Sequence, residues 1–136
     1  MSRFSDKTIV ITGASRGIGA ALARRFAREG ASVVVSANEQ GAETVASDIV
    51  ASGGKAIARI ADVTNKADVV ALYDAAEREF GGVDVSIQNA GVITIARIEA
   101  MTEAEWDKVM AVNTKGVSCA VRKRSRGSAS TSAAVG

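Results

Sequence analysis

The 136-residue chain has no histidine, one cysteine (Cys119) and one tyrosine (Tyr73), and aromatic residues make up only 4% of it. Without histidine there can be no Ser-His-Asp triad and no imidazole metal ligand. A lone cysteine makes neither an internal disulfide nor a thiolate zinc site. It is expected to be a buried small hydrophobe. No apolar run approaches the roughly 18 residues that a membrane span requires. Met1–Lys7 leads directly into a strand-like run and leaves no room for a signal peptide, so a cytoplasmic location is expected.

The residues that are present amount to one globular domain, 47% hydrophobic and 24% charged. The net charge of +2 hides an asymmetry. Residues 1–116 carry 13 Lys/Arg against 15 Asp/Glu, whereas Arg122, Lys123, Arg124 and Arg126 stand in the last twenty residues with no acid among them. Residues 122–136 are almost entirely Arg, Lys, Ser, Ala, Gly and Thr. That composition has no apolar period to bury, and a disordered tail is expected from it.

Before the tail, strand-like and helix-like segments alternate four times. Thr8–Thr12 and Ser32–Ala37 are short runs rich in β-branched residues, expected to be buried on both faces. Lys55–Ala61 and Val83–Gln88 read as a third and a fourth strand. Between them, Ile18, Ala21, Leu22 and Phe26 recur at helical spacing. So do Ala42, Val45, Ala46 and Ile49, behind an expected cap at Asn38. Val69, Leu72, Tyr73, Ala76 and Phe80 form a third apolar face, with Tyr73 in the core. Thr102-Glu-Ala-Glu105 fits a capping box, and Trp106, Val109 and Met110 supply the apolar face of the helix behind it. Strand–helix alternation of this kind implies right-handed βαβ units and a doubly wound, Rossmann-like α/β sheet with helices on both faces.

The segment with the most chemical content is Thr12-Gly-Ala-Ser-Arg-Gly-Ile-Gly19, between the first strand and the first helix. Glycines there permit close backbone approach, and a helix N-terminus offers unpaired N–H groups and the positive end of its dipole, which is what a phosphate needs. The spacing is G-x-x-x-G-x-G. Asp62-Val63 ends the third strand, Gln88-Asn-Ala-Gly91 follows the fourth, and Trp106 leads to Val112-Asn113 and Gly116. In this order the motifs resemble the short-chain dehydrogenase/reductase family over about residues 5–117, with Gln88 where the family has the first Asn of Asn-Asn-Ala-Gly.

The resemblance implies an NAD(P)-dependent oxidoreductase that interconverts hydroxyl and carbonyl groups. It implies cofactor contacts at Gly13, Ser15, Arg16, Gly17, Ile18 and Gly19, at Asn38, at Asp62 and Val63, and at Asn89, Ala90 and Gly91. Asp62 would meet the adenine amino group, and Asn113 would be the one catalytic residue that can be matched. The end of the second strand, Ser36-Ala37-Asn38, is neither acidic nor basic, and Glu39 is expected to face solvent on a helical turn. Arg16 resembles the loop arginine that some members set against the 2′-phosphate, which favours NADP. The implied strand order is 3-2-1-4, with the fourth strand an exposed apolar edge. The implied partners are a small alcohol or carbonyl substrate and, for full-length members, further copies in a homo-oligomer, with no specific nucleic acid and no membrane.

Members of this family are nearly twice as long and use a Tyr-x-x-x-Lys pair with a nearby Ser. No tyrosine follows Tyr73, and Ser125, Ser128, Ser130 and Ser132 lie in the low-complexity tail. A dinucleotide-binding half over residues 1–117 and an aberrant tail over 118–136 are therefore expected. The expected activity is nil, and the alternative is a non-catalytic dinucleotide-binding module with a basic tail. Substrate identity stays open between acyl-carrier-linked 3-oxo esters and sugars or polyols. Serine and arginine codons of the TCN and CGN type would let an alternative frame, entered near codons 116–118, encode an apolar helix and an Ile-Pro step. Sequencing the coding DNA tests this: a Tyr-x-x-x-Lys downstream in that frame is the expected result, and its absence removes the frameshift.

Overall fold

The computed structural model describes residues 2–118. Four strands, β1 (Thr8–Ile11), β2 (Ser32–Ala37), β3 (Lys55–Ile60) and β4 (Val85–Ile87), form one parallel sheet in the order β3-β2-β1-β4. The helices are α1 (Gly17–Arg28), α2 (Gly41–Ala51), α3 (Lys66–Phe80) and α4 (Glu103–Met110). Ile9, Ile11, Val33 and Val35 project to one face of the sheet, beneath α1 and α2. Val10 and Val34 project to the other, beneath α3. The two-residue period of the strands thus feeds two cores, and all four residues of β1 are buried. The Rossmann-like architecture and the 3-2-1-4 order are those expected from the sequence. No helix among the described residues is long and apolar enough to cross a membrane.

β4 is tied to β1 at both ends. Asp84 Oδ2 accepts from Thr8 N at 2.8 Å and Asp84 N donates to Thr8 O at 2.9 Å. At the far end Thr12 N donates to Ile87 O at 3.1 Å. These contacts fix the pairing of Ile9 with Val85 and Ile11 with Ile87. β3 closes the opposite side of the sheet and carries Lys55 and Arg59, with Arg59 3.9 Å from Glu79. Charges of this kind are how a natural edge strand discourages further pairing.

Three expectations need correction. The buried face of α1 is Gly19, Ala20, Ala23 and Ala27, with Leu22 and Phe26 half-buried; Ile18 is 75% exposed and Ala21 is exposed as well. Small residues let α1 lie close on the sheet, and its first turn faces open space instead of core. Asn38 does not cap α2. Gln40 stands at that position and makes no side-chain cap bond, so Glu39 belongs to the loop before the helix and not to a helical turn. The capping box at Thr102 and Glu105 is present, yet α4 buries no residue, and Trp106 remains 55% exposed.

Beyond α4 the chain widens into a π turn, Ala111–Lys115, where the Thr114 hydroxyl donates to Met110 O at 2.6 Å. The expected disordered tail, Cys119 and the tail serines lie outside the described residues, apart from Ser118.

α3 shows most directly how sequence sets a boundary. Asn65 Oδ1 accepts from Ala67 N and Asp68 N at 2.9 and 3.3 Å, and Gly81 ends the helix in the left-handed region at φ 83°. Asn65→Ala is expected to cost about 1 kcal/mol of stability, read as a lowered midpoint in urea unfolding with the slope unchanged.

Candidate dinucleotide-binding cleft

A parallel sheet delivers the C-terminal ends of all its strands to one side, and the expected site residues sit on those ends. A cleft of about 460 Å³ runs across them. Gly13, Ser15, Arg16 and Ile18 line it from the β1–α1 turn, Asn38 from the end of β2, and Asp62 and Val63 from the end of β3. Asn89, Ala90 and Gly91 line it from the end of β4. Residues distant in sequence are therefore brought together as anticipated. Gly17, Gly19 and Asn113 do not line it. A depression of similar size, about 480 Å³, lies on the α1–α2 surface beside the Arg24–Asp48 ion pair and shares no residue with the cleft. The backbone N–H groups of Ser52, Gly53 and Gly54 there are spent on the carbonyls that end α2, so no free donor set converges in it.

The β1–α1 turn owes its shape to glycine. Gly13 has φ 63°, and a Cβ on it would stand 2.6 Å from Ala90 Cα, so the turns after β1 and β4 touch backbone to backbone. Gly19 lies underneath, where a Cβ would come within 2.5 Å of Asn89 Nδ2. Gly17 differs: its φ is 57°, and nothing lies within 4 Å of where its Cβ would be. α1 starts there with Arg16 as N-cap, no side-chain cap and no acid in its first turn. Its leading N–H groups thus meet no capping side chain, on an unobstructed side of the chain, and this arrangement fits an anionic phosphate.

Thr12, 1% exposed, joins the two turns. Its Oγ1 accepts from Asn89 N at 3.2 Å and Ala90 N at 3.1 Å, while Asn89 Nδ2 donates to Gly13 O at 3.0 Å.

At the β2 end the Ser15 hydroxyl donates to Glu39 Oε1 at 2.7 Å. Glu39 lines the cleft together with Ala37, Ala61, Val92 and Val112, none of which sequence reasoning had placed there. The signal for Glu39 was its position two residues after β2, obscured by assigning it to a helix. Asn113 lies in the π turn. Its Oδ1 accepts from Val92 N at 2.8 Å and its Nδ2 donates to Val92 O at 2.9 Å, a two-point bond that holds the segment past Gly91.

Among the described residues, no cluster of three or more His, Cys, Asp or Glu could hold a metal.

The family model for short chain dehydrogenases matches residues 7–131. The chain belongs to the short-chain dehydrogenase family. It is 43% identical to 3beta-hydroxysteroid dehydrogenase 1 of Eggerthella lenta over 119 residues, covering 86% of this chain and 46% of that protein. It is likewise 43% identical to elsinochrome reductase 1 of Elsinoe fawcettii over 117 residues, covering 85% and 44%. A solved short-chain type dehydrogenase/reductase from Mycobacterium marinum superposes with a TM-score of 0.88 at 34% identity, over 91% of this chain and 51% of that one. The chain thus spans about half the length of the curated relatives it matches.

The carboxyl group of Asp62 is held below its usual range by the Thr64 hydroxyl at 2.6 Å and the Thr64 N–H at 2.8 Å, both on Oδ1, against a smaller opposing effect of burial. A depressed folded-state value means that Asp62 contributes stability above its unfolded value and loses it as pH falls through the folded one. Thr64→Val removes the hydroxyl donor. The Asp62 titration followed by carboxyl carbon NMR is expected to move up toward the ordinary aspartate value.

Proposed function

We propose that the cleft binds a nicotinamide dinucleotide and that the chain is the cofactor-binding part of an oxidoreductase acting on a hydroxyl or carbonyl group. One observation carries the proposal: the uncapped start of α1 and the ends of β2, β3 and β4 converge on a single cleft in a chain of this family. Bound there, the dinucleotide would supply a hydride donor or acceptor. The residues of this chain would orient it. Gly13, Gly17 and Gly19 shape the turn that leaves the α1 N–H groups to the pyrophosphate, with Ser15 and Ile18 beside them. Asn38 and Arg16 flank the ribose end. Asp62 and Val63 receive the adenine, and Asn89, Ala90 and Gly91 form the wall toward the nicotinamide. Asn113 is the proposed catalytic residue, held by its two bonds to Val92.

For cofactor choice we favour NADP, because Arg16 is among the residues lining the cleft and a guanidinium pairs well with a 2′-phosphate. Glu39 opposes this choice as a carboxylate at the same end, engaged by Ser15. Glu39→Gln should therefore tighten NADPH several-fold and weaken NADH, whose ribose 2′-OH loses a carboxylate acceptor.

Proton transfer to a carbonyl oxygen needs a positioned acid. The sequence has only Tyr73, 4% exposed on the inner face of α3, and so has no Tyr-x-x-x-Lys pair. The 136-residue chain is proposed to bind the cofactor without turning over. Calorimetric titration with NADPH and NADH, paired with a ketone-reduction assay, tests both statements. Saturable micromolar binding without turnover is expected; reduction of any ketone would overturn the second statement, and absence of binding the first.

A further inference from the structure

The mechanism above leaves one polar group of side chains unused. Ser86 in β4 and Gln88 just after it point to the α3 face, in step with the pleat. Gln88 Nε2 donates to Ser86 Oγ at 2.6 Å and to Tyr73 OH at 3.3 Å, and the Ser86 and Tyr73 hydroxyls bond each other. Tyr73 belongs to the buried face of α3, with Val69, Leu72 and Ala76. Its ring is core, as its helical spacing suggests, while its hydroxyl is the fixed point of a small network.

Counting hydrogens shows what this network requires. It contains three contacts. An amide nitrogen turned toward both hydroxyls brings two hydrogens, and one hydroxyl supplies the third. With the amide oxygen turned inward, or with a carboxylate in its place, only the two hydroxyl hydrogens remain for three contacts. The position therefore calls for an amide, and one long enough to reach from the strand exit to α3.

The next residues in the chain are the cleft wall. Asn89 N and Ala90 N bond to Thr12 Oγ1, and Asn89 Nδ2 bonds to Gly13 O. Those bonds grip the β4 exit from the α1 side, and Gln88 grips it from the α3 side. With only one grip the wall could pivot about β4, which is just three residues long and pairs with β1 alone among the described strands.

We propose that Gln88 is a positioning residue of the dinucleotide cleft: through Ser86 and Tyr73 it clamps the end of β4 to α3 and thereby sets the Asn89-Ala90-Gly91 wall. The functional half of this proposal rests on the dinucleotide reading of the cleft, while the mechanical half does not.

Gln88→Leu is the informative variant, because it keeps the size of the side chain and leaves Ser86 and Tyr73 bonded to each other, so that no polar group is orphaned. Tyr73→Phe removes the other end of the clamp and keeps the buried ring. The 136-residue chain and its Gln88→Leu, Tyr73→Phe and double variants are compared by amide hydrogen exchange and by NADPH titration. Each single variant is expected to speed exchange at Asn89 and Ala90, and to weaken NADPH, by roughly three- to tenfold, about the worth of one hydrogen bond. Exchange at Val33–Val35 should be unchanged. The double variant should fall short of the product of the two single effects, because the Gln88–Tyr73 contact is removed by both. Unchanged exchange at Asn89 and Ala90, exchange that rises equally across the sheet, or effects that multiply in the double variant would each overturn the clamp. If the unaltered chain binds neither NADPH nor NADH, the dinucleotide reading fails, and the exchange pattern alone then decides whether Gln88 holds the wall.

Discussion

The Thr12 hydroxyl, buried at the end of β1, accepts two backbone N–H groups from the segment that follows β4. The two turns it joins are 76 to 78 residues apart in sequence, so the long-range geometry of the cleft comes down to a contact between one side chain and one stretch of backbone. Gly13 makes the contact possible by lacking the Cβ that would strike Ala90. Once these turns are fixed, the start of α1 is aimed over the ends of the strands. The helix dipole and the strand ends then address the same volume.

The other walls are held by local devices. β3 delivers Asp62, and the first turn of α3 fixes it from behind: Asp68 Oδ2 accepts from Asp62 N at 2.9 Å, while Asn65 caps the helix that carries Asp68. β2 delivers Asn38 and Glu39, and the Ser15–Glu39 bond ties that loop to the glycine-rich turn. Each strand exit thus has its own side-chain-to-backbone or side-chain-to-side-chain anchor. The sheet needs only to bring the exits to the same side.

Much of this was legible in the sequence, for identifiable reasons. Ser32–Ala37 could be bounded correctly because three successive valines can be satisfied only by burial on both faces, and Gly30 and Asn38 flank them. The glycine-rich turn was legible from its context, a strand before it and a helix after it. Periodicity failed on α1, because it weighs large apolar residues and α1 packs through Gly19, Ala20, Ala23 and Ala27; Ile18 matched the helical spacing but faced outward. On α2 periodicity held, since Ala42, Val45, Ala46 and Ile49 are the buried face; the cap alone was misplaced, because Asn38 has good capping chemistry yet stands two residues before the N-cap, Gln40. Pairings between side chains of different elements, such as Ser15 with Glu39 or Gln88 with Tyr73, leave no periodic trace. They depend on register and crossing geometry that only the folded chain supplies. For α4 the capping box was legible because it is local. The fate of its apolar face was not, because that depends on what lies opposite.

The bare state of α4 has an energetic consequence for the cleft. Helices in proteins draw most of their stability from burying a face, and α4 buries none. Its capping box closes only its own first turn; what holds the arm is the Asn113–Val92 pair and the close approach of Gly116 to Val63 in the segment behind it. Local opening free energies follow buried contact, so this arm should be the first cooperative unit to open, well below the global unfolding of the β1–β2 core. Val92 and Val112, which line the cleft beside Gly91, belong to the arm or its attachment. The cleft is thus built from parts of unequal stability: the α1 turn, locked to the β4 exit through Thr12 and Gly13, and an opposite wall that opens with the α4 arm.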